Sequence, residues 1–477
     1  MNKPVKRKAA QKHKSLVTLD RVQKISFNWA LERLDKKQYG VILGHKTGFG
    51  KSFVALSLVE HLLKPNQLFL VLCPSHLIPN WKQYIQEYYP VLMDRVIYTA
   101  YTQLTDPVKY QFISSHKYRY VIIDEVHYIK NPDSKRSMAV TGEKPISSKA
   151  EPLPFENPKG MKSFCGQFIS LSGSWFNNHV GDLFVVLKFL RHPLTKYGYE
   201  FFCREFGENV FRNAWGLVVK PGLKKENEKL LMEHLKNVYI TADNPVKGRR
   251  VVKYLQSSKA LLNLEKKFVV EVLGKLGIGQ LTYDTLLLQP DILMKIADSV
   301  PKFTEFQQWK EKIALLKTKP ILEDIKENII PETKKFIIFC YNKSIVDFYF
   351  DKLYKKVHCV KVTAEVGIED RHRVLADSDK LDECVLICTM DSVREGYNLP
   401  NFNLSLFVQS DFRPVIIIQC EGRTIRNEKD SEGKTTEKQK SVHQHYLFDD
   451  GLDRHTWKAV LAKMKTANKI NKALEIK

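Results

Sequence analysis

No apolar run in the chain approaches the roughly 18 residues needed to cross a bilayer. The basic stretch 1–15 lacks the apolar segment of a secretory signal and reads as a flexible cationic tail. Paired cysteines are missing too: the eight cysteines are scattered, and none forms a CxxC pair of zinc-site spacing. Cys384 and Cys388 bracket the apolar run Val385–Ile387, which a buried strand explains. These absences argue against a chain with membrane-spanning helices, a secreted one or a zinc ribbon, and set the expectation of a soluble, intracellular chain in a reducing compartment. Acidic residues are in deficit, with 53 Asp and Glu against 76 Lys and Arg, a formal charge of +23. Such a surplus points to a polyanionic partner, nucleic acid first. No internal repeat is visible.

What is present is globular. Hydrophobic residues make up 43% and charged residues 27% of 477 positions, too many for one ordinary core, so two or three domains are expected. Short apolar runs alternate with helix-length amphipathic stretches in two regions. In the first, 16–193, the strand candidates are Gly40–Leu43, Leu68–Cys73, Tyr120–Ile123 and Phe168–Leu171. In the second, 319–448, they are Phe336–Cys340, Val385–Cys388 and Leu404–Val408. This alternation predicts an α/β chain with two parallel sheets covered by helices on both faces. Between them, 194–318 reads as a helical insertion and linker, with helical spacing at Lys224–Asn237, Ser257–Leu273 and Asp291–Ile313. Ser134–Met161 is rich in Pro, Lys and Ser without periodicity and reads as a long surface loop, and 449–477 reads as a basic helix.

Chemistry concentrates at two strand ends. Gly40–Leu43 runs through Gly44 into His45-Lys-Thr47-Gly48-Phe49-Gly50-Lys51-Ser52, followed by an apolar-periodic helix. Gly48 and Gly50 let the backbone curl around phosphates, Lys51 reaches the β and γ phosphates, and Ser52 ligates Mg²⁺. His45 stands where the P-loop pattern has glycine. Downstream, Tyr120–Ile123 ends in Asp124 and Glu125. Asp124 is placed to hold Mg²⁺ and Glu125 to polarise the attacking water. ATP and Mg²⁺ are therefore the expected cofactors.

Asp124-Glu-Val-His127-Tyr-Ile-Lys130-Asn131 resembles the DEAH box of superfamily-2 helicases in its Swi/Snf form. Val71-Leu-Cys-Pro74, Leu77 and Pro79-Asn80-Trp81-Lys82 resemble motif Ia. Leu171-Ser172-Gly173-Ser174, with Asn177, Asn178 and Asp182, resembles motif III, although Trp175 replaces a usual proline. Lys335–Cys340 resembles motif IV, and Glu369–Arg373 the stretch before the family's Phe-Asn turn. Val385–Thr389 with Arg394-Glu-Gly396-Tyr-Asn398 resembles motif V. Gln419-Cys-Glu-Gly-Arg423-Thr-Ile-Arg426 resembles motif VI. His443–Leu447 with Asp450–Asp453 resembles the closing strand and brace helix. These segments lie in order from about residue 16 to 460.

The resemblance implies two tandem RecA-like lobes and an ATP-driven motor on nucleic acid. It makes Arg423 and Arg426 arginine fingers for the γ-phosphate, Gln23 the adenine reader, and Gly396 and Asn398 further nucleotide contacts. His127, Ser172, Gly173, Ser174 and Gln419 would couple ATP state to lobe movement. Nucleic acid would meet Ser75, His76, Asn80, Trp81, Lys82, Lys130, Asn131, Asn342, Lys343, Thr389 and Arg394, mostly through phosphates. Lys247–Arg250 is a further basic patch. The favoured partner is duplex or branched DNA, with RNA second, no membrane, and a monomeric motor. A strand-separating helicase and a non-hydrolysing binding module are the alternatives.

Overall fold

The computed structural model describes residues 17–475 except 47–48, 147–149, 157–158, 174–178, 214–215, 221, 243–247, 276–281, 289–303, 394–396, 398, 412, 426–427, 430–434 and 437–440. The basic tail 1–15, Asn177, Asn178, Lys247 and most of the stretch Asp291–Ile313 before residue 304 lie outside the described residues.

The first lobe is a six-stranded parallel sheet. Its strands are β1 (Gly40–Leu43), β2 (Leu68–Cys73), β3 (Val96–Ala100), β4 (Tyr118–Asp124), β5 (Cys165–Leu171) and an edge strand that follows a hairpin of β6 (Val210–Asn213) and β7 (Gly216–Val219), namely β8 (Tyr239–Ile240). Their order is β3-β2-β4-β5-β1-β8. Side chains alternate between two cores: Val41, Leu43, Phe69 and Val71 face one, Ile42, Leu70 and Leu72 the other. That alternation needs apolar residues at every position, which is why these strands read as unbroken hydrophobic runs. Helix α1 (Arg21–Asp35) opens with a reciprocal capping box between Asp20 and Gln23. Helix α2 (Lys51–Leu62) follows β1, and α3 (Ile78–Tyr88) follows β2.

The second lobe repeats the plan. Strands β9 (Arg249–Leu255), β10 (Lys335–Cys340), β11 (Cys359–Val362), β12 (Cys384–Thr389), β13 (Leu404–Phe407) and β16 (Val442–Phe448) form a parallel sheet ordered β11-β12-β10-β13-β16-β9. Two short strands, β14 (Glu428–Lys429) and β15 (Thr435–Thr436), make a separate hairpin. Phe336, Ile338 and Cys340 face one core, and Ile337 and Phe339 the other. Cys384 and Cys388 are buried on β12. The C-terminal helix Leu452–Ala473 spans both lobes: Leu452 packs in the second-lobe core, while Ala467 and Ile470 pack in the first. Twenty-two residues give it about 33 Å of reach. None of the described helices is long and apolar enough to cross a membrane.

Every strand candidate of the sequence falls on an observed strand, but two other readings are corrected. The region 194–318 is not only helical: it holds the β6–β7 hairpin, and it supplies β8 to the first sheet and β9 to the second. Ser134–Met161 is not only a surface loop. Its start folds into the helix Lys135–Thr141, in which Ser137 through Thr141 are all buried. Ser134 caps that helix by accepting from the Ser137 N–H. Gly142 ends it at φ 72°, packed against the Gly160 backbone.

A Cβ on Gly142 would lie 2.3 Å from the Gly160 nitrogen in a left-handed conformation. Gly142→Ala is expected to lower unfolding free energy by about 2 kcal/mol or more, read by urea denaturation. An unchanged midpoint would show that the Lys135–Thr141 helix does not dock as described.

Candidate functional site

The site assembles where strands end. Beyond β1 the chain turns at Gly50, which caps α2 in the left-handed region at φ 69°. Lys51 begins α2, and its Nζ donates to the carbonyls of His45 (2.7 Å) and Lys46 (3.3 Å). The ammonium is thus held over the mouth of the loop. His45 does not point into that mouth. Its ring is 1% exposed and sits 2.8 Å from the Ser26 hydroxyl of α1, which itself donates to the Val22 carbonyl. With that proton committed, the ring must donate through Nε2, leaving Nδ1 as a bare acceptor. Burial pulls its pKa down to about 3, so it stays neutral. A histidine replaces the usual glycine because α1 offers it an inward berth. Gln23 accepts from the Asp20 N–H and donates to the Phe49 carbonyl at 3.0 Å, so it braces the loop on which it was expected to read adenine.

At the end of β4, both oxygens of Asp124 are engaged. Oδ1 accepts from the Glu125 N–H (3.0 Å) and Oδ2 from the Trp81 indole (2.9 Å). Burial and the neighbouring Glu125 push its pKa up to about 7, while Trp81 and Lys51 oppose the rise. Glu125 sits at φ 51°, a strained conformation for a side chain with a Cβ, of the kind that gathers at active sites. The buried Tyr101 hydroxyl holds the turn by donating to the Asp124 carbonyl at 2.7 Å. His127 Nδ1 lies 3.1 Å from Glu125 Oε2 and 3.2 Å from the Ser172 hydroxyl, which is 3.4 Å from the same carboxylate. The expected coupling residues His127 and Ser172 therefore meet on Glu125.

The second lobe faces this cluster with Arg423. Burial lowers the Lys51 pKa, Glu125 and Asp124 oppose that, and Arg423 adds to it through its positive charge. The guanidinium is 6% exposed and donates to the carbonyls of Tyr397 (2.7 Å) and Gln419 (3.1 Å). The Gln419 amide is 3% exposed, and among the described residues neither its oxygen nor its nitrogen has a hydrogen-bond partner. Behind Arg423, Glu421 receives two hydrogen bonds from Arg250 (2.7 and 2.6 Å), and His445 Nε2 lies 3.0 Å away. Arg250, grouped with a basic patch from sequence, is thus an edge-strand residue paired inward with Glu421.

An ammonium over a loop mouth, two carboxylates, an arginine and an unpartnered amide fit a magnesium nucleotide. Thr47, Gly48, Ser174, Arg394, Gly396, Asn398 and Arg426 lie outside the described residues; Phe49 is buried, Ser52 half-buried and Gly173 half-buried.

Of the nucleic-acid candidates, Ser75, Lys82 and Asn131 are exposed, and His76, Asn80 and Asn342 are half-buried. Lys130 lies 3.5 Å from Asp182, and Lys343 pairs with Glu365 at 2.7 Å. Two candidates are corrected. Trp81 is 1% exposed and faces the core, because the apolar side of α3 packs on the sheet. Thr389 is 9% exposed and lies 2.6 Å from the Ser392 hydroxyl, inside the lobe. Sequence reading missed Tyr101, Ser26, Glu421 and His445; each acts through a partner remote in sequence, with no spacing to mark it.

Two parallel-sheet lobes with a P-loop lysine and paired carboxylates on one and an arginine on the other define a tandem-lobe P-loop NTPase fold. Residues 22–105 match the SNF2-related domain family, and 321–428 match the helicase conserved C-terminal domain. These two matches make the chain similar to Snf2-like helicases of superfamily 2. It is 22% identical to the Danio rerio chromodomain-helicase-DNA-binding protein 1-like, over 82% of this chain and 39% of that one. It is 21% identical to the Xenopus tropicalis SWI/SNF-related matrix-associated actin-dependent regulator of chromatin subfamily A-like protein 1, over 93% of this chain and 44% of that one. The chain thus spans about two fifths of the length of these curated relatives. The Sulfolobus solfataricus SWI2/SNF2 ATPase core in complex with dsDNA overlaps 97% of this chain and 98% of that one, at 16% identity and a TM-score of 0.41.

Glu421 is held down to about 2 despite burial, because His445 and Arg250 stabilise its charge. A depressed carboxylate stabilises the fold fully above its unfolded pKa and loses that contribution as pH falls through the folded value. Glu421→Gln should therefore narrow the gap to the parent protein between about pH 4.5 and pH 2, and should lower stability at pH 7 by about 2 kcal/mol by leaving Arg250 poorly paired. A pH-independent difference in unfolding midpoint would contradict the ion pair.

Proposed function

We propose that the chain is an ATP-driven motor that translocates on duplex DNA. The observation that carries this reading is the placing of Lys51, Asp124 and Glu125 at the strand ends of one lobe, with the buried Arg423 of the other lobe near enough for its charge to bear on Lys51. Lys51 would hold the β and γ phosphates, and Ser52 and Asp124 would hold Mg²⁺. The metal, when bound, screens phosphate charge. Glu125, oriented by His127 and Ser172, takes a proton from the attacking water. Arg423, with Arg426, stabilises charge building on the γ-phosphate. Because the arginine belongs to the other lobe, hydrolysis depends on lobe approach, and a strand bridging both lobes would be stepped along by each cycle. The formal charge of +23 and the exposed Ser75, Lys82 and Asn131 support DNA as the track. Contacts of that kind are to phosphate and therefore steeply salt-dependent. The names of the relatives, two of them DNA-binding or chromatin proteins, point the same way.

The test is steady-state ATP hydrolysis with no nucleic acid, single-stranded DNA, duplex DNA, a four-way junction and RNA. Duplex or junction DNA is expected to stimulate strongly, and Glu125→Gln to lower the stimulated rate by roughly 10²-fold or more. Stimulation by single strands or RNA alone would move the reading to a strand-separating helicase, and nucleotide binding without any hydrolysis would leave a binding module. The raised Asp124 pKa of about 7 sets a pH dependence. Its neutral form prevails below that value, so the Mg²⁺ concentration for half-maximal rate should rise as pH falls from 8 to 6. A flat Mg²⁺ requirement over that range would contradict the assignment of Asp124.

A further inference from the structure

Trp81 links the outward segment Ser75–Lys82 to the carboxylate at the end of β4. The indole Nε1–H donates to Asp124 Oδ2 at 2.9 Å. The rest of the ring lies in the apolar cluster that also holds Leu77, Ile85 and Tyr89. An indole has a single proton to give and accepts none, so Trp81 makes one hydrogen bond at a time, and here Asp124 receives it. The same short helix shows opposite faces to solvent and core: Pro79 and Lys82 are exposed, whereas Trp81 is 1% exposed. Its root is firm, because β2, which leads into it, is hydrogen-bonded along β4, which ends in Asp124. A displacement of α3 relative to β4 would therefore change the indole–carboxylate distance.

From this geometry we infer that Trp81 is a positioning residue for Asp124, through which nucleic acid bound on the outer side of α3 tunes magnesium–nucleotide binding. The inference rests on the reading of the chain as a nucleic-acid-stimulated ATPase. Nucleic acid pressing on Lys82 and Asn80 moves the helix that carries the indole. With the N–H in place, one oxygen of Asp124 is fixed in direction. When the bond lengthens, the carboxylate loses that orientation, and its hold on the metal weakens.

The test uses the full chain and its Trp81→Phe variant, which keeps an aromatic ring and removes the N–H. Binding of a fluorescent ATP analogue is measured against Mg²⁺ concentration and in EDTA, with and without duplex DNA. Half-saturating Mg²⁺ is expected to rise roughly tenfold in the variant, the order of factor that a hydrogen bond to a charged group represents, while affinity in EDTA and for duplex DNA stays the same. Duplex DNA is expected to shift the Mg²⁺ curve of the parent chain and not that of the variant. A variant with the parent's Mg²⁺ curve and DNA response overturns the inference. Should Trp81→Phe not fold, ¹⁵N-indole spectra of the parent chain replace it. The indole resonance perturbed by Asp124→Asn is the one expected to move on adding duplex DNA, and a stationary resonance overturns the proposal. Failure of the parent chain to hydrolyse ATP with any nucleic acid would instead remove the functional reading, a distinct result.

Discussion

Lys51, Asp124, Glu125 and Arg423 form a charge balance in which no member is comfortable alone. Burial draws the ammonium towards neutrality and drives Asp124 towards protonation, and each restrains the other. Neutral groups in these places would remove the electrostatic purpose of the loop, and the same charges unpaired would be expelled by desolvation. The two lobes, the glycine turn and the strained glutamate make sense as devices that hold these four groups near enough to interact and open enough to admit a polyphosphate.

Local strain and local support are matched around that balance. Glu125 stands in a left-handed conformation, and the turn is held by the Tyr101 hydroxyl on the Asp124 carbonyl and by His127 and Ser172 on the Glu125 side chain. Across the interface Arg423 is equally braced, by the Tyr397 carbonyl and by the Glu421 helix end that Arg250 and His445 anchor. The C-terminal helix ties the lobes, with Asn471 accepting from the Tyr239 hydroxyl at 2.7 Å beside β1. The fold thereby braces each half of the site within its own lobe.

Much of this was legible because the chemistry sits at strand ends. The runs Gly40–Leu43 and Tyr120–Ile123 are apolar at every position, a pattern that only a doubly covered parallel strand requires, and the polar residues that follow must then emerge at the sheet's edge. The hidden parts share one cause: their meaning depends on distant partners. Arg249-Arg250-Val-Val-Lys-Tyr-Leu255 reads as a charged surface segment until β16 pairs with it along all seven residues. Lys135–Thr141 carries too little periodicity to mark a helix, and Gly142 meeting Gly160 closes it against the core. Trp81, flanked by Asn80 and Lys82, shares their sequence neighbourhood but not their direction, since successive helix residues point about 100° apart.

The central claim is that Arg423 completes a nucleotide site built on the other lobe. Its most direct measure is the affinity for ADP with aluminium fluoride, which mimics the transferring phosphoryl group, in the parent chain and in Arg423→Ala. The account predicts that the parent chain binds the complex far more tightly than ADP alone, and that the variant loses roughly 10³-fold of that preference while keeping its affinity for ADP. An Arg423→Ala protein that retains the full preference would contradict it.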